Sequence, residues 1–149
     1  MTGAWVRHVA RVVLGGFLLV AGVAHLVDVE AFLAQVPPWL PAREAVVLVS
    51  GVVELALGAA LLLARGRRRA QVGLVVAAFL VAVFPGNVSQ WLTGADAFGL
   101  ETDGARLARL FFQPPLVAWA LWCTGGWGLL VELLGRRRGA GEGPVRPGA

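Results

Sequence analysis

The run from Ala45 to Ala64, AVVLVSGVVELALGAALLLA, carries a single charge, Glu54. About 20 apolar residues carry a helix across ~30 Å of hydrocarbon. An open strand is excluded there, because lipid offers no partner for its backbone groups. The run therefore reads as a membrane-spanning helix. A carboxyl group near the middle of such a helix costs at least ~2.5 kcal/mol on insertion scales, so it belongs in a bundle interior. Its neighbours on the same helical face are Ser50 at i−4, Gly51 at i−3 and Gly58 at i+4. All three are small and leave room for another helix to approach.

The rest of the chain carries the same signature. Of its 149 residues, 58% are hydrophobic and 15% charged, against about 25% charged in a typical soluble domain. One small membrane domain fits this length and composition. All 13 basic residues are arginine and the net charge is +4. The arginines fall between apolar runs, so topology accounts for them better than nucleic acid does. The lone Cys123 sits in an apolar run, which excludes an intrachain disulfide or a CxxC pair and reads as packing.

Four runs have the length of a span: about 9–27, 45–64, 70–88 and 114–134. Arg7 and Arg11 at the start of the first, with Ala21, Gly22 and Ala24 near its end, also suit a signal peptide. Its length and the three later runs favour a retained span. Arginines 7, 11, 65, 67, 68, 69, 136, 137, 138 and 146 fall on one side of these spans, and Arg43, Arg106 and Arg109 on the other. The positive-inside rule then puts both termini in the cytoplasm, and an even number of spans requires the same. The expected fold is an all-α bundle of four transmembrane helices over 1–134. Residues 135–149, rich in Gly, Pro and Arg, read as a disordered cytoplasmic tail.

On the outer side, Asp28 suits an N-cap for a short helical turn to Gln35, and Pro37, Pro38 and Pro41 stiffen the chain beyond it. Trp39 suits an interfacial anchor. The segment from Ser89 to Phe112 reads as a second outer loop. Pro114 and Pro115 either open the last helix or bend one that starts near Arg106.

Sorting the polar residues by depth gathers six of them at the outer half of the bundle: His25, Ser50, Glu54, Asn87, Arg109 and Gln113. They come from all four spans. Arg109 suits the counter-ion of Glu54 through a bidentate guanidinium, and His25 can hydrogen-bond the pair or carry a proton. The cluster reads either as a lock on helix register or as a functional polar pocket. Glu132 and Arg136 read as an i,i+4 surface pair. Trp119, Trp122 and Trp127 suit lipid contact and packing, and secondarily a flat ligand. HExxH, CxxC, Walker A and GxSxG are absent, and His8 and His25 lie at opposite faces. An autonomous hydrolase or a metal site is therefore not expected.

The pieces AGVAHLVDVEAF, VPPWLP, SGVVELALG with LLLARGRRRA, VFPGNV and RLFFQPPLVAWA follow one another over about 21–120. In order and spacing the chain resembles the DoxX-like bacterial membrane proteins, small four-helix bundles. The resemblance matches His25, Glu54, Asn87, Arg109 and Gln113 to the family's polar positions. It departs at Leu26 and Val29, at Gly86 and at Phe111, where the family pattern carries other residues. It implies a bacterial inner-membrane architecture and, through relatives that include a membrane subunit of thiosulfate:quinone oxidoreductase, a link to redox partners.

Three functions follow as expectations. One is a non-catalytic membrane subunit or scaffold for a protein partner, such as a redox enzyme. Another is a quinone-linked redox subunit in which Glu54, His25 and Arg109 handle protons or a quinone head group. The third is a carrier of a lipophilic solute or lipid.

Overall fold

The structure, a computed structural model, describes residues 2–97 and 101–141. Six helices follow one another: α1 (Thr2–Val27), α2 (Val29–Leu33), α3 (Arg43–Leu63), α4 (Gly66–Thr93), α5 (Asp103–Thr124) and α6 (Gly126–Gly141). There is no strand among the described residues. Helices α1, α3 and α4 are each long and apolar enough to cross a membrane. Helices α5 and α6 pass that test only as a pair, and they meet at 92°.

The bundle is built from two closely packed pairs, α1 with α3 and α4 with α5. In the first pair, backbone meets backbone. A Cβ on Gly22 would sit 2.7 Å from the Gly51 carbonyl oxygen, and one on Gly58 would sit 2.8 Å from that of Gly15. The two contacts are seven residues apart on each helix, two turns, so one face of small residues serves both. In the second pair, Gly73 accommodates the Thr124 side chain. Leu14, Leu18, Leu57, Leu61, Val76, Leu80 and Ala120 form a core where the pairs meet.

Three helix ends inside the protein are finished by arginines from other elements. The last carbonyls of a helix have no partner within it and need one elsewhere. Arg11, buried in the bundle, donates to the Leu61 carbonyl and to those of Leu62 and Ala64 at 3.4 and 3.3 Å. Arg69 donates to the Thr124 carbonyl at 3.0 Å, closing α5. Arg43 donates to the Leu33 carbonyl at the end of α2 and to that of Val36 at 3.0 Å. The contacts of Arg11 and Arg69 set the α3–α4 connection and the α5–α6 junction at one end of the bundle, and that of Arg43 lies at the other.

Several boundaries differ from the sequence expectation. The second outer loop shrinks from 89–112 to 94–102, because α4 continues to Thr93 and α5 starts at Asp103. Thr102 caps α5, accepting from the Ala105 N–H at 3.2 Å, and Pro114 and Pro115 lie inside that helix. The apolar run 114–134 is no single helix. It breaks at Gly125, which takes φ 80°, a left-handed conformation open to glycine. Residues 135–141, expected to be structureless, continue α6. The remainder of the expected tail, 142–149, lies outside the described residues. Asp28 caps α2 as its sequence suggests, accepting from the Ala31 N–H at 3.2 Å.

Candidate functional site

A cavity of about 1260 Å³ lies between the two helix pairs, at the end of the bundle opposite the arginine-capped junctions. Phe17, Ala21 and His25 of α1 and Val46, Val47, Ser50 and Glu54 of α3 form one wall. Phe79, Leu80, Val83, Pro85 and Asn87 of α4 and Ala108, Arg109, Phe112, Gln113 and Leu116 of α5 form the other. Phe32 and the segment Gln35–Leu40 roof it. All six residues gathered by depth, His25, Ser50, Glu54, Asn87, Arg109 and Gln113, line this one cavity.

They form three groups within it. In the first, His25 Nδ1 stands 3.0 Å from Glu54 Oε2 and 2.9 Å from the Ala21 carbonyl oxygen. A carbonyl only accepts, so Nδ1 carries the hydrogen and donates it to Ala21 one turn back. Glu54 Oε2 is then fully buried without a hydrogen-bond partner although the imidazole is adjacent. The Phe32 ring lies against the imidazole, with centroids 3.7 Å apart. Ser50 stands one turn along α3 from Glu54.

In the second group, Arg109 donates to Gln90 Oε1 at 3.1 Å and to Gln35 Oε1 at 2.9 Å. In place of the expected Glu54–Arg109 pair, the structure sets the His25 imidazole 3.0 Å from the Glu54 carboxyl group, while the guanidinium holds the two glutamine amides. Helix α3 packs against α1, which brings His25 to Glu54, whereas α5 packs against α4. Arginine has donors only, so it fixes the orientation of both glutamine amides. Gln35 must turn Nε2 away from it, and that nitrogen is buried without a hydrogen-bond partner.

In the third group, Asn87 Nδ2 donates to Gln113 Oε1 at 3.2 Å, and Gln113 Nε2 donates to the Leu80 carbonyl. That carbonyl stands one residue before Val81, the i−4 acceptor that Pro85 leaves without its backbone donor.

Two features of the site had no clear sequence signal. Gln35 and Gln90 sit in mixed polar segments and become meaningful only through Arg109. Arg106 is buried in the first turn of α5, where it pairs with Asp96, with Asp103 at 2.6 Å, and with the Glu101 carbonyl at 3.3 Å. It holds both ends of the 94–102 connection. Elsewhere, Cys123 is buried in the core, and Trp119 donates from Nε1 to the Ala10 carbonyl at 3.1 Å. Glu132 bridges Arg136 at 2.6 Å and Arg67 at 3.4 Å. Among the described residues, no three of His, Cys, Asp or Glu are grouped so as to hold a metal ion.

No curated protein and no solved structure matches the chain. One family model does match, over residues 14–124, a range that takes in every residue lining the cavity. The chain belongs to that family, described as a domain of unknown function, DUF8561.

Proposed function

We propose that this is a four-span bacterial plasma-membrane protein whose outer half binds an amphiphilic molecule. The head group would lie among His25, Glu54, Arg109, Asn87 and Gln113, and the chain along the phenylalanine, valine and leucine walls. The observation that carries this reading is the cavity itself. Ligand pockets usually occupy about 300–1,000 Å³ and combine apolar walls with a few converging polar groups. This one has that composition and a larger volume, about 1260 Å³. A polar cluster serving only to lock the bundle would be closed around itself, with its atoms paired.

Four spans follow if α5 crosses alone. Its 22 residues give about 33 Å at 1.5 Å per residue, enough for ~30 Å of hydrocarbon. Its contacts run from Gln90 at one end of α4 to Arg69 at the other. Helix α6, turned by 92°, then lies along the cytoplasmic face among the arginines of the α3–α4 connection. The arginine distribution supports a cytoplasmic position for both termini. A reporter fused after Ala149 should behave as cytoplasmic, and a periplasmic signal there would refute this orientation.

A quinone-linked membrane subunit is the second reading. It is favoured by the imidazole of His25, set between the Glu54 carboxyl and the Phe32 ring, and by the resemblance to DoxX-like proteins. Glu54→Gln and Arg109→Gln, purified separately, separate binding from architecture. Binding predicts loss of a co-purifying amphiphile from both variants, beside whatever melting Glu54→Gln loses through the His25–Glu54 contact. Lowered melting with the amphiphile retained would leave only the structural lock.

A further inference from the structure

We infer that the molecule taken by this cavity is a neutral amphiphile with a hydroxyl-bearing head group. The inference rests on the amphiphile reading above and comes from two atoms left without hydrogen bonds. Glu54 Oε2 and Gln35 Nε2 are both buried, and both belong to residues lining the cavity. A polar atom buried unpaired lacks the hydrogen bond it has in water, so each is a place where a ligand gains affinity.

Their chemistry differs. The one hydrogen on His25 Nδ1 is used by the Ala21 carbonyl, so Glu54 Oε2 awaits a donor. Arg109 occupies Gln35 Oε1, so Gln35 Nε2 awaits an acceptor. The head group must therefore offer both. A hydroxyl carries one donor and two acceptor lone pairs, so one hydroxyl, or a hydroxyl beside another oxygen, supplies the two complements. A carboxylate offers Glu54 no donor. An alkylammonium offers Gln35 no acceptor and brings a cation beside Arg109. An ether or ester oxygen without a hydroxyl satisfies only Gln35.

The test uses probes that share one chain and differ at the head. Binding of 1-dodecanol, its methyl ether, dodecanoate and dodecylammonium would be measured on the full chain in phosphatidylcholine nanodiscs, with empty nanodiscs subtracted. The alcohol should bind roughly tenfold or more tightly than the ether, the size of one hydrogen bond to a buried acidic group. Both ions should bind more weakly than the alcohol. Gln35→Glu keeps an oxygen for Arg109 and removes the spare N–H. It should weaken the alcohol and the ether by a similar factor, leaving the gap between them, with melting unchanged. Equal binding of alcohol and ether would overturn the inference while sparing the amphiphile reading, the two atoms then being served by water. No effect of Gln35→Glu would also overturn it. If no probe binds, both fall.

Discussion

Among single residues, Glu54 decides most about the interior of the bundle. Its cost in a membrane span identifies it from sequence as inward-facing, and depth alone collects five companions that line the same cavity. The identity of its partner was not legible, because sequence supplies depth but not which helices are neighbours. A buried ion pair is often no better than an apolar replacement, yet removing one member costs about 3–5 kcal/mol. Replacing His25 with Leu should therefore lower the melting temperature sharply. The double variant with Glu54→Leu should recover most of the loss. Equal damage in single and double variants would show that the pair is not coupled. Ala42 offers a second test. It is the one described non-glycine residue with positive φ, at 51°, a conformation that costs an L-residue about 1–2 kcal/mol. Ala42→Gly should raise stability by up to about 1 kcal/mol after the entropy penalty of glycine, measured by thermal melting.

At the scale of the element, helix pairing depends on which glycine is replaced. Gly22→Leu should force α1 from α3, because a Cβ there already meets the Gly51 carbonyl and Leu55. Gly16→Leu should be tolerated, since nothing lies within 4 Å of its Cβ. Melting of the two variants checks the contrast, and equal loss would remove the seam from the explanation. The three long apolar helices were legible because hydropathy records composition. The bend at Gly125 was not, because the apolar run continues through it and composition carries no direction. The only trace was the Gly125–Gly126 pair, inconspicuous among 20 glycines. If α6 lies in the interface, Trp127, 60% exposed, should be quenched most strongly by lipids brominated near the head group. Quenching greatest near the bilayer centre would instead place α6 within the hydrocarbon.

At the scale of the whole molecule, two helix pairs are sealed together at one end and parted at the other. The sealed end has its carbonyls capped by Arg11 and Arg69 and a leucine-rich core beside them. The parted end is roofed by α2 and the proline-rich segment, tethered by Arg43 and by the Gln35–Arg109 bond. The roof's stiffness was legible in Pro37, Pro38 and Pro41, but its attachment over the cavity was not, since it depends on carbonyl acceptors that every residue possesses. If the space between the pairs holds an amphiphile, filling that space should expel it. Ser50 lines the wall beside Glu54, and Ser50→Phe would occupy the volume without removing any of the charged groups. Native mass spectrometry of protein released from its own membrane should show wild type carrying a bound small amphiphile, and Ser50→Phe bare at an unchanged or higher melting temperature. Wild type without any adduct, or an adduct retained in full by Ser50→Phe, would contradict occupancy of that space by an amphiphile.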